Sequence, residues 1–336
     1  MNLINKAERI FVAGANGMAG SAIVRSLKKN NYGSKEFGGE LLTPSRKELN
    51  LFNYSEVEEW FKAKKPTVVI LAAARVGGIF ANSSKSADFI LENLKIQNNV
   101  IENSWRFNVK RLLFLGSSCI YPKFAPQPLK EKYLLTGPLE ITNESYAIAK
   151  ISGIKLCSSI REQYGFDAIS LMPTNLYGPR DNYHTTNSHV LPSLIRKFYS
   201  AKVNNKSNVT CWGSGSPKRE FLHVDDLAQA VVHILEKVSS KNNLLFEEDS
   251  RFNGIINIGT GKDISIKELA ELISKETEYR GEIIWDKTKP DGTPRKLLDV
   301  SKANQLGWQA RIDIKNGIKL TIKSFIEELQ NGSIRL

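Results

Sequence analysis

Short apolar runs alternate with longer stretches of helical spacing through most of the chain. "RIFVA" (9–13) is a β-branched and aromatic run that ends in glycine. The following "GMAGSAIVRSLKKN" places apolar residues at 18, 19, 23, 24 and 27, the spacing of one helix face. "ELLTPS" (40–45) predicts a short strand and "SEVEEWFKAKK" (55–65) a helix. "TVVILAAA" (67–74) is a continuous apolar strand of the kind buried on both faces of a parallel sheet. A long helix over 85–107, the strand "RLLFLGSS" (111–118), a helix over 146–165, the strand "AISLMP" (168–173) and a helix over 189–201 follow. This alternation predicts an α/β fold: a Rossmann-type, doubly wound parallel sheet. Right-handed crossovers gather the C-terminal strand ends, and with them any ligand, along one edge.

Beyond about residue 175 the pattern loosens. "VTCWGSGSPKREF" (209–221) and "GEIIWDKTKPDGTPRKLLD" (281–299) are turn-rich, basic and aromatic. They predict a smaller, discontinuous substrate domain. "VDDLAQAVVHILEKV" (224–238) and "GIINIGTG" (254–261) predict a helix and a strand that return to the main sheet, with a surface loop over 238–254 between them. The expected division is therefore a nucleotide-binding domain of 1–174 plus about 221–258, and a substrate domain of about 175–220 plus 259–336.

Composition narrows the classes. With 336 residues and 41% hydrophobic residues, the chain can bury a real core. The net charge of +12 comes from scattered lysines and arginines, without a dense basic run or interleaved aromatics. That predicts a basic surface suited to anionic small molecules and no nucleic-acid partner. No apolar run approaches the roughly 20 residues of a membrane span, so no membrane partner is expected. The N-terminal apolar run is too short for a signal peptide. Cys119, Cys157 and Cys211 make neither a disulfide framework nor metal-ligand spacing, so a reducing, cytoplasmic setting and no metal are expected.

Two constellations carry chemistry. "GANGMAG" (14–20) sets Gly14, Gly17 and Gly20 between a strand and a helix. The first glycine supplies a tight turn, the second close approach of backbone to a pyrophosphate, the third close helix packing. Ala15, Asn16 and Met18 fill the same loop, and the helix N-terminus offers unpaired N–H groups to phosphates. After the second strand, Arg46 and Lys47 stand where an NAD binder carries an acid. A cationic pair there suits the 2′-phosphate of NADP; alternatively both are solvated surface residues, with Glu48 beside them.

The second constellation is "YAIAK" (146–150), which puts Tyr146 and Lys150 one turn apart on one helix face. An ammonium nearby favours the phenolate. Ser117, at the end of its strand, adds a second donor for an oxygen that gains charge during carbonyl reduction.

With these residues in place, the chain resembles the extended short-chain dehydrogenase/reductases that act on nucleotide sugars, and within them the GDP-L-fucose synthase family. "GMAGSAI", "AAARVGGI", "LFLGSSCIYPK", "NESYAIAKISGIKLC", "MPTNLYGP", "NSHVLP", "WGSGSPKREFLHVDDLA", "INIGTG" and "KPDGTPRKLLDV" carry the likeness nearly end to end. The resemblance implies NADPH-dependent 4-reduction and 3,5-epimerisation of GDP-4-keto-6-deoxy-D-mannose. It implies that Ser117, Tyr146 and Lys150 serve reduction, and that Cys119 and His189 move protons during epimerisation. It implies a cofactor site that adds Leu115, Gly116, Ser118, Pro173, Thr174, Asn175 and Leu176 to the glycine loop and Arg46, with Ser117, Lys150 and His189 also in contact. It implies a GDP-sugar site of Lys197, Trp212, Arg219, Asp291 and Lys296, and a homodimer formed through the helices of 85–107 and 146–165. Lys197 stands where some members carry arginine, and Asn16 where some place a basic residue.

A ketone at C4 acidifies the hydrogens on C3 and C5, so inversion needs one acid–base group on each ring face. A thiol and an imidazole straddle neutral pH and suit that exchange. Each chemical residue also has a plain structural reading. Cys157 and Cys211 are read as packing residues, and His184 and His223 as structural. Two rival functions stay open. One is a nucleotide-sugar dehydratase or 4-epimerase on the same fold; the dehydratases of this class carry an Asp-Glu pair where Ser118 and Cys119 stand. A non-catalytic NADP sensor would tend to lose the tyrosine or the lysine.

Overall fold

A computed structural model describes residues 2–185, 187–247, 249–289 and 291–336. Six strands form one all-parallel sheet. They are β1 (Arg9–Ala13), β2 (Glu40–Leu42), β3 (Val68–Leu71), β4 (Arg111–Leu115), β5 (Ala168–Pro173) and, last in the sheet, the strand Ile255–Ile258. The helices between them are α1 (Met18–Lys29), α2 (Tyr54–Lys64), the short α3 (Ile79–Ser84), α4 (Ser86–Arg106) and α5 (Glu144–Tyr164). The chain then runs β6 (Asn175–Tyr177), α6 (Val190–Val203), β7 (Asn208–Trp212), β8 (Lys218–His223), α7 (Val224–Lys237) and β9, which is Ile255–Ile258. It ends with β10 (Asp263–Ser265), α8 (Ile266–Glu276), β11 (Glu282–Asp286), β12 (Arg295–Lys296), α9 (Ser301–Gln305) and α10 (Ile314–Gln330).

The main sheet has the order β2-β1-β3-β4-β5-β9. The chain leaves β1 for β2 on one side and returns to β3 on the other, so the order reverses between β1 and β3. That is the switch point at which doubly wound sheets bind ligands. Apart from the edge strand β2, the strands are buried on both faces, and alternate side chains divide between two cores. Ile10, Val12, Val68, Ile70, Leu113 and Leu115 face α1 and α7. Phe11, Ala13, Val69, Leu71, Leu112 and Phe114 face α2, α4 and α5. Residues Ala303, Leu306 and Trp308 come back to the first of these cores.

A third core gathers α6, α8 and α10 around β7 and β8. β8 is its centre: it pairs with β6 and β12 in parallel and with β10 antiparallel, while β7 pairs with β11. The segments 209–221 and 281–299, expected to be turn-rich, thus contain four strands. Their polarity has a plain cause in β7, where Val209 and Cys211 are buried while Asn208, Thr210 and Trp212 face outward. A strand covered on one face only looks polar along the chain. The strand expected over 67–74 stops at Leu71, and residues 72–74 leave the sheet toward the switch point. Over 238–254 the described residues hold a single 3-10 turn at Asn243–Leu245. Among the described residues, no helix is long and apolar enough to cross a membrane.

Candidate active site

A cleft of about 470 Å³ opens at the switch point. Gly14, Ala15, Asn16 and Gly17 line one wall, and Arg46, Phe52, Ala73 and Arg75 line others. Gly14 has φ +85°, and a Cβ there would meet the backbone of Ala73 at 2.7 Å. A Cβ on Gly20 would lie 2.1 Å from the Gly14 carbonyl oxygen, so Gly20 seats α1 against the turn and does not line the cleft. Met18 turns toward the sheet core instead. The N-terminus of α1 has no side-chain cap and no acid in its first turn, which leaves its N–H groups to an anion. Arg46 lies over the Phe52 ring at 4.9 Å, at the cleft wall. Glu48 is occupied elsewhere: its carboxylate accepts the Ser45 N–H at 2.7 Å and closes the turn. Lys47 is exposed and does not line the cleft. These residues fit a dinucleotide with a phosphate near Arg46.

Farther along the strand edge, β4 ends in a 3-10 turn, Ser118–Ile120. Ser118 and Ile120 are buried, whereas Ser117 and Cys119 are half-exposed, and Cys119 opens into a separate small pocket with Lys123, Glu140, Thr293 and Lys296. The Ser117 hydroxyl accepts the Cys119 N–H at 3.2 Å, which holds the turn. The Met172 side chain packs over Gly116, where a Cβ would lie 2.4 Å from its sulfur and displace it.

α5 brings Tyr146 and Lys150 to this turn. Burial, and next the Cys119 side chain, push the Tyr146 phenol above its ordinary range, while the Ser117 side chain pulls the other way. Lys150 stands near the phenol, as the one-turn spacing predicts. Its ammonium donates to the Leu115 carbonyl at 2.7 Å and lies 5.9 Å from the Tyr146 ring centroid. Lys150 is 3% exposed, and burial lowers its pKa to about 7. A protonated phenol is the form that donates to a developing alkoxide.

Cys119 accepts from two nitrogen donors: Asn143 Nδ2 at 3.4 Å and Lys296 Nζ at 3.6 Å. Lys296 arrives on β12, where it stands opposite Arg219 of β8. Burial pulls the Arg219 guanidinium down, and Cys119, Asp291 and Glu140 oppose this. The strand-end thiol and two cations of the smaller sheet thus meet at one place.

His189 caps α6 at its N-terminus without using its side chain. The residue is exposed in part, yet desolvation holds its imidazole below its ordinary pKa. Among the described residues no hydrogen bond joins His189 to the Ser117–Cys119 turn. Its approach is set by "RVGGI": the Gly78 N–H donates to the Asn187 carbonyl at 3.1 Å, and a Cβ on Gly78 would lie 2.8 Å from the Ser188 oxygen.

Trp212 is 63% exposed, with Lys197 and Lys289 Nζ at 5.6 and 5.8 Å from its ring centroid. Asp291 accepts from Ser214 N at 2.9 Å and Ser214 Oγ at 2.7 Å. Pro290, in the same motif, lies outside the described residues. Thr174 Oγ1 and Asn175 Nδ2 donate to the Glu220 carbonyl at 3.2 and 2.7 Å. Pro173 ends β5 opposite Ile258, and Leu176 packs on the sheet core. Cys157 and Cys211 are buried, and His223 is buried at the N-terminus of α7.

Residues that sequence reasoning passed over also build the site. Fully buried Glu220 accepts from the N–H groups of Thr260, Gly261 and Leu298 at 2.6, 2.7 and 2.8 Å. It ties "INIGTG" and the strand carrying Lys296 to β8. Glu140 pairs with Lys123 at 3.0 Å and accepts from Thr293 at 3.3 Å, bridging the β4 exit to the "DGTPRK" loop.

A family model described as the NAD dependent epimerase/dehydratase family matches residues 10–259. The chain belongs to this family. Two relatives cover nearly the whole chain. GDP-L-fucose synthase 1 of Arabidopsis thaliana is 51% identical, over 98% of this chain and 97% of its own. GDP-L-fucose synthase of Escherichia coli K12 is 49% identical, over 95% and 97%. Among solved structures, a GDP-mannoheptose C4 reductase from Campylobacter jejuni with NADP bound matches at a TM-score of 0.85 and 39% identity. That match covers 96% of this chain and 99% of the other.

Proposed function

We propose that this epimerase/dehydratase family member is a GDP-L-fucose synthase, converting GDP-4-keto-6-deoxy-D-mannose to GDP-L-fucose with NADPH. One observation carries the reading: Tyr146 and Lys150 of α5 meet the β4 turn that bears both Ser117 and the Cys119 thiol, with Lys296 beside the sulfur. A reductase alone needs Ser117, Tyr146 and Lys150. A half-exposed thiol in the same turn as Ser117 supplies the second chemistry.

NADPH, when bound, supplies the hydride to C4. The glycine loop, the α1 N-terminus and Arg46 hold its phosphates. Ser117 and Tyr146 hold the C4 oxygen while C3 and C5 lose and regain protons, with the negative charge resting on that oxygen as an enolate. Cys119 and His189 exchange those protons from opposite ring faces. Tyr146 then gives its proton to the C4 oxygen. Lys150 orients the helix face and the cofactor ribose. Trp212 flanks the guanine, and Arg219, Lys197 and Lys296 neutralise the diphosphate.

In this reading the chain divides at about 174/175, 220/221 and 258/259 into a cofactor part and a sugar part. A homodimer through α4 and α5 is supported by Leu91 and Ile148, which are 53% and 40% exposed on those helices. The setting is cytoplasmic.

The deciding experiment supplies NADPH and GDP-4-keto-6-deoxy-D-mannose and identifies the sugar formed. GDP-L-fucose is expected. A 6-deoxy sugar with C3 and C5 unchanged would leave a plain C4 reductase, the activity of the Campylobacter neighbour.

A further inference from the structure

Two residues of the β4 turn face two residues at the start of α5. Ser117 faces Tyr146, and Cys119 faces Asn143. Asn143 is the N-cap of α5, a position where asparagine normally turns its side chain onto the helix N–H groups. Here it makes no cap bond. Its Nδ2 reaches instead across to the Cys119 sulfur at 3.4 Å. Its Oδ1 is buried with no hydrogen-bond partner. A cap has been given up and a buried acceptor left open, both beside a thiol read above as one of the acid–base groups.

We propose that Asn143 is the positioning residue for Cys119, and that its amide follows the proton on the sulfur. This rests on the epimerase reading above. Each inversion takes one proton off a ring carbon and returns one, so the sulfur is S⁻ in one part of the cycle and S–H in another. Nδ2–H donates to S⁻. When the sulfur gains a proton from carbon, the amide rotates and Oδ1 accepts the S–H. The far side of the amide has no partner, so rotation breaks no second hydrogen bond. Lys296 cannot do this, because an ammonium only donates. With both sulfur states held by one partner, Sγ keeps its place relative to the ring carbons.

Asn143→Asp and Asn143→Ser test this. Both remain good N-caps, so a purely structural Asn143 predicts no loss. Aspartate only accepts, and serine is too short to reach the sulfur. Two rates are measured on the full-length protein. One is solvent deuterium entering C3 and C5 of GDP-4-keto-6-deoxy-D-mannose with NADP⁺ bound. The other is hydride transfer in reverse, from GDP-L-fucose to NADP⁺, which needs no epimerisation. Exchange should fall on the order of 10²-fold, the loss typical of a misplaced reacting group. Reverse hydride transfer, the KM for GDP-L-fucose and the melting temperature should hold. Exchange at the wild-type rate in both variants overturns the proposal. So does a parallel fall of both rates, which would make Asn143 a support of the helix start. Wild-type protein that reduces the keto sugar without any exchange defeats the epimerase reading itself, and that result is visible before any variant is made.

Discussion

Lys296 Nζ lies 3.6 Å from Sγ of Cys119, a residue 177 positions earlier in the chain. Nothing local brings them together. Cys119 is carried by the main sheet and Lys296 by a two-residue strand of the smaller one. The contact is where the two sheets share a single site. It places a donor cation beside the thiol and, through the pairing of β12 with β8, a second cation beside the first.

Arg46 is expected to set the cofactor preference. It lines the cleft without a carboxylate partner among the described residues, whereas Arg75 on the same wall is paired with Asp88 and Glu92, Lys47 lies outside the cleft and Glu48 is bound to Ser45. Arg46→Ala should raise the KM for NADPH by about 10–100-fold, the loss of a charge-assisted hydrogen bond. NADH lacks the 2′-phosphate, so its KM should hold. Steady-state kinetics with both cofactors check this; equal effects would remove Arg46 from the phosphate site.

Tyr146→Phe keeps the ring and removes the proton. Hydride transfer should fall by ~10²–10⁴-fold, the usual contribution of an acid–base group. NADPH affinity should stay within a few-fold, because the phosphates are held at the other end of the cleft. Stopped-flow oxidation of bound NADPH reads the first quantity and fluorescence titration the second. A variant that reduces at nearly the wild-type rate would move the proton donor elsewhere.

Lys150 makes the cofactor-free protein sensitive to pH. Its ordinary pKa of 10.5 falls to about 7 through burial. Between these values the unfolded chain keeps a proton on this lysine that the folded chain has lost. Where the unfolded state binds more protons, stability rises with pH. Below about pH 7 the lysine is charged in both states and the full cost of burying that charge is present. Urea unfolding of wild type and Lys150→Met from pH 6.5 to about 9.5 should show the balance moving in favour of wild type as pH rises. A difference that stays flat with pH would mean that Lys150 is not desolvated.

How far the sequence could be read depended on how local each signal is. β4 announces itself as a continuous apolar run, and Tyr146 and Lys150 as a one-turn pair; both stand where expected. The helix α8 carried a legible start in the capping box of Ser265 and Glu268, passed over because its surroundings are polar. β8 and β12 could not be read this way. A parallel register between distant segments leaves no local period, and a strand of two residues has no pattern at all. The Lys150 ammonium illustrates the same limit on electrostatics. Spacing placed it near Tyr146, but only the folded backbone shows that it donates a hydrogen bond to the Leu115 carbonyl.

Glu220 is the residue whose structural importance was least visible. Between Arg219 and Phe221 it looks like one more surface charge, yet it is fully buried. Glu220→Ala leaves the buried Leu298 N–H and its neighbours without an acceptor. At ~1–3 kcal/mol for each orphaned buried donor, a drop of several degrees in melting temperature is expected. Because β12 is held through this carboxylate, the KM for the GDP-sugar should rise while NADPH affinity changes less. Calorimetry with paired KM measurements tests both. An unchanged melting temperature would show that the backbone donors find other partners.

Cys119→Ser should separate the two activities. The hydroxyl is nearly the shape of the thiol, so the turn, the Ser117–Tyr146–Lys150 set and NADPH binding should all persist. A serine hydroxyl ionises far above neutrality, whereas an ordinary thiol sits near 8.5. Serine therefore cannot efficiently take a proton from C3 or C5 at neutral pH. With NADP⁺ present, wild-type protein should carry solvent deuterium into both carbons of GDP-4-keto-6-deoxy-D-mannose. The variant should do so slowly or not at all. With NADPH it should still reduce C4, but the product should be the 6-deoxy sugar that keeps the original configuration at C3 and C5. Reverse hydride transfer from GDP-L-fucose, which bypasses epimerisation, should remain close to the wild-type rate. That contrast distinguishes a lost proton carrier from a damaged site, since damage would lower both. If the variant exchanges both carbons and forms GDP-L-fucose as fast as wild type, Cys119 is a packing residue. The proton carrier would then have to be sought among the other groups at the cleft, with His189 first.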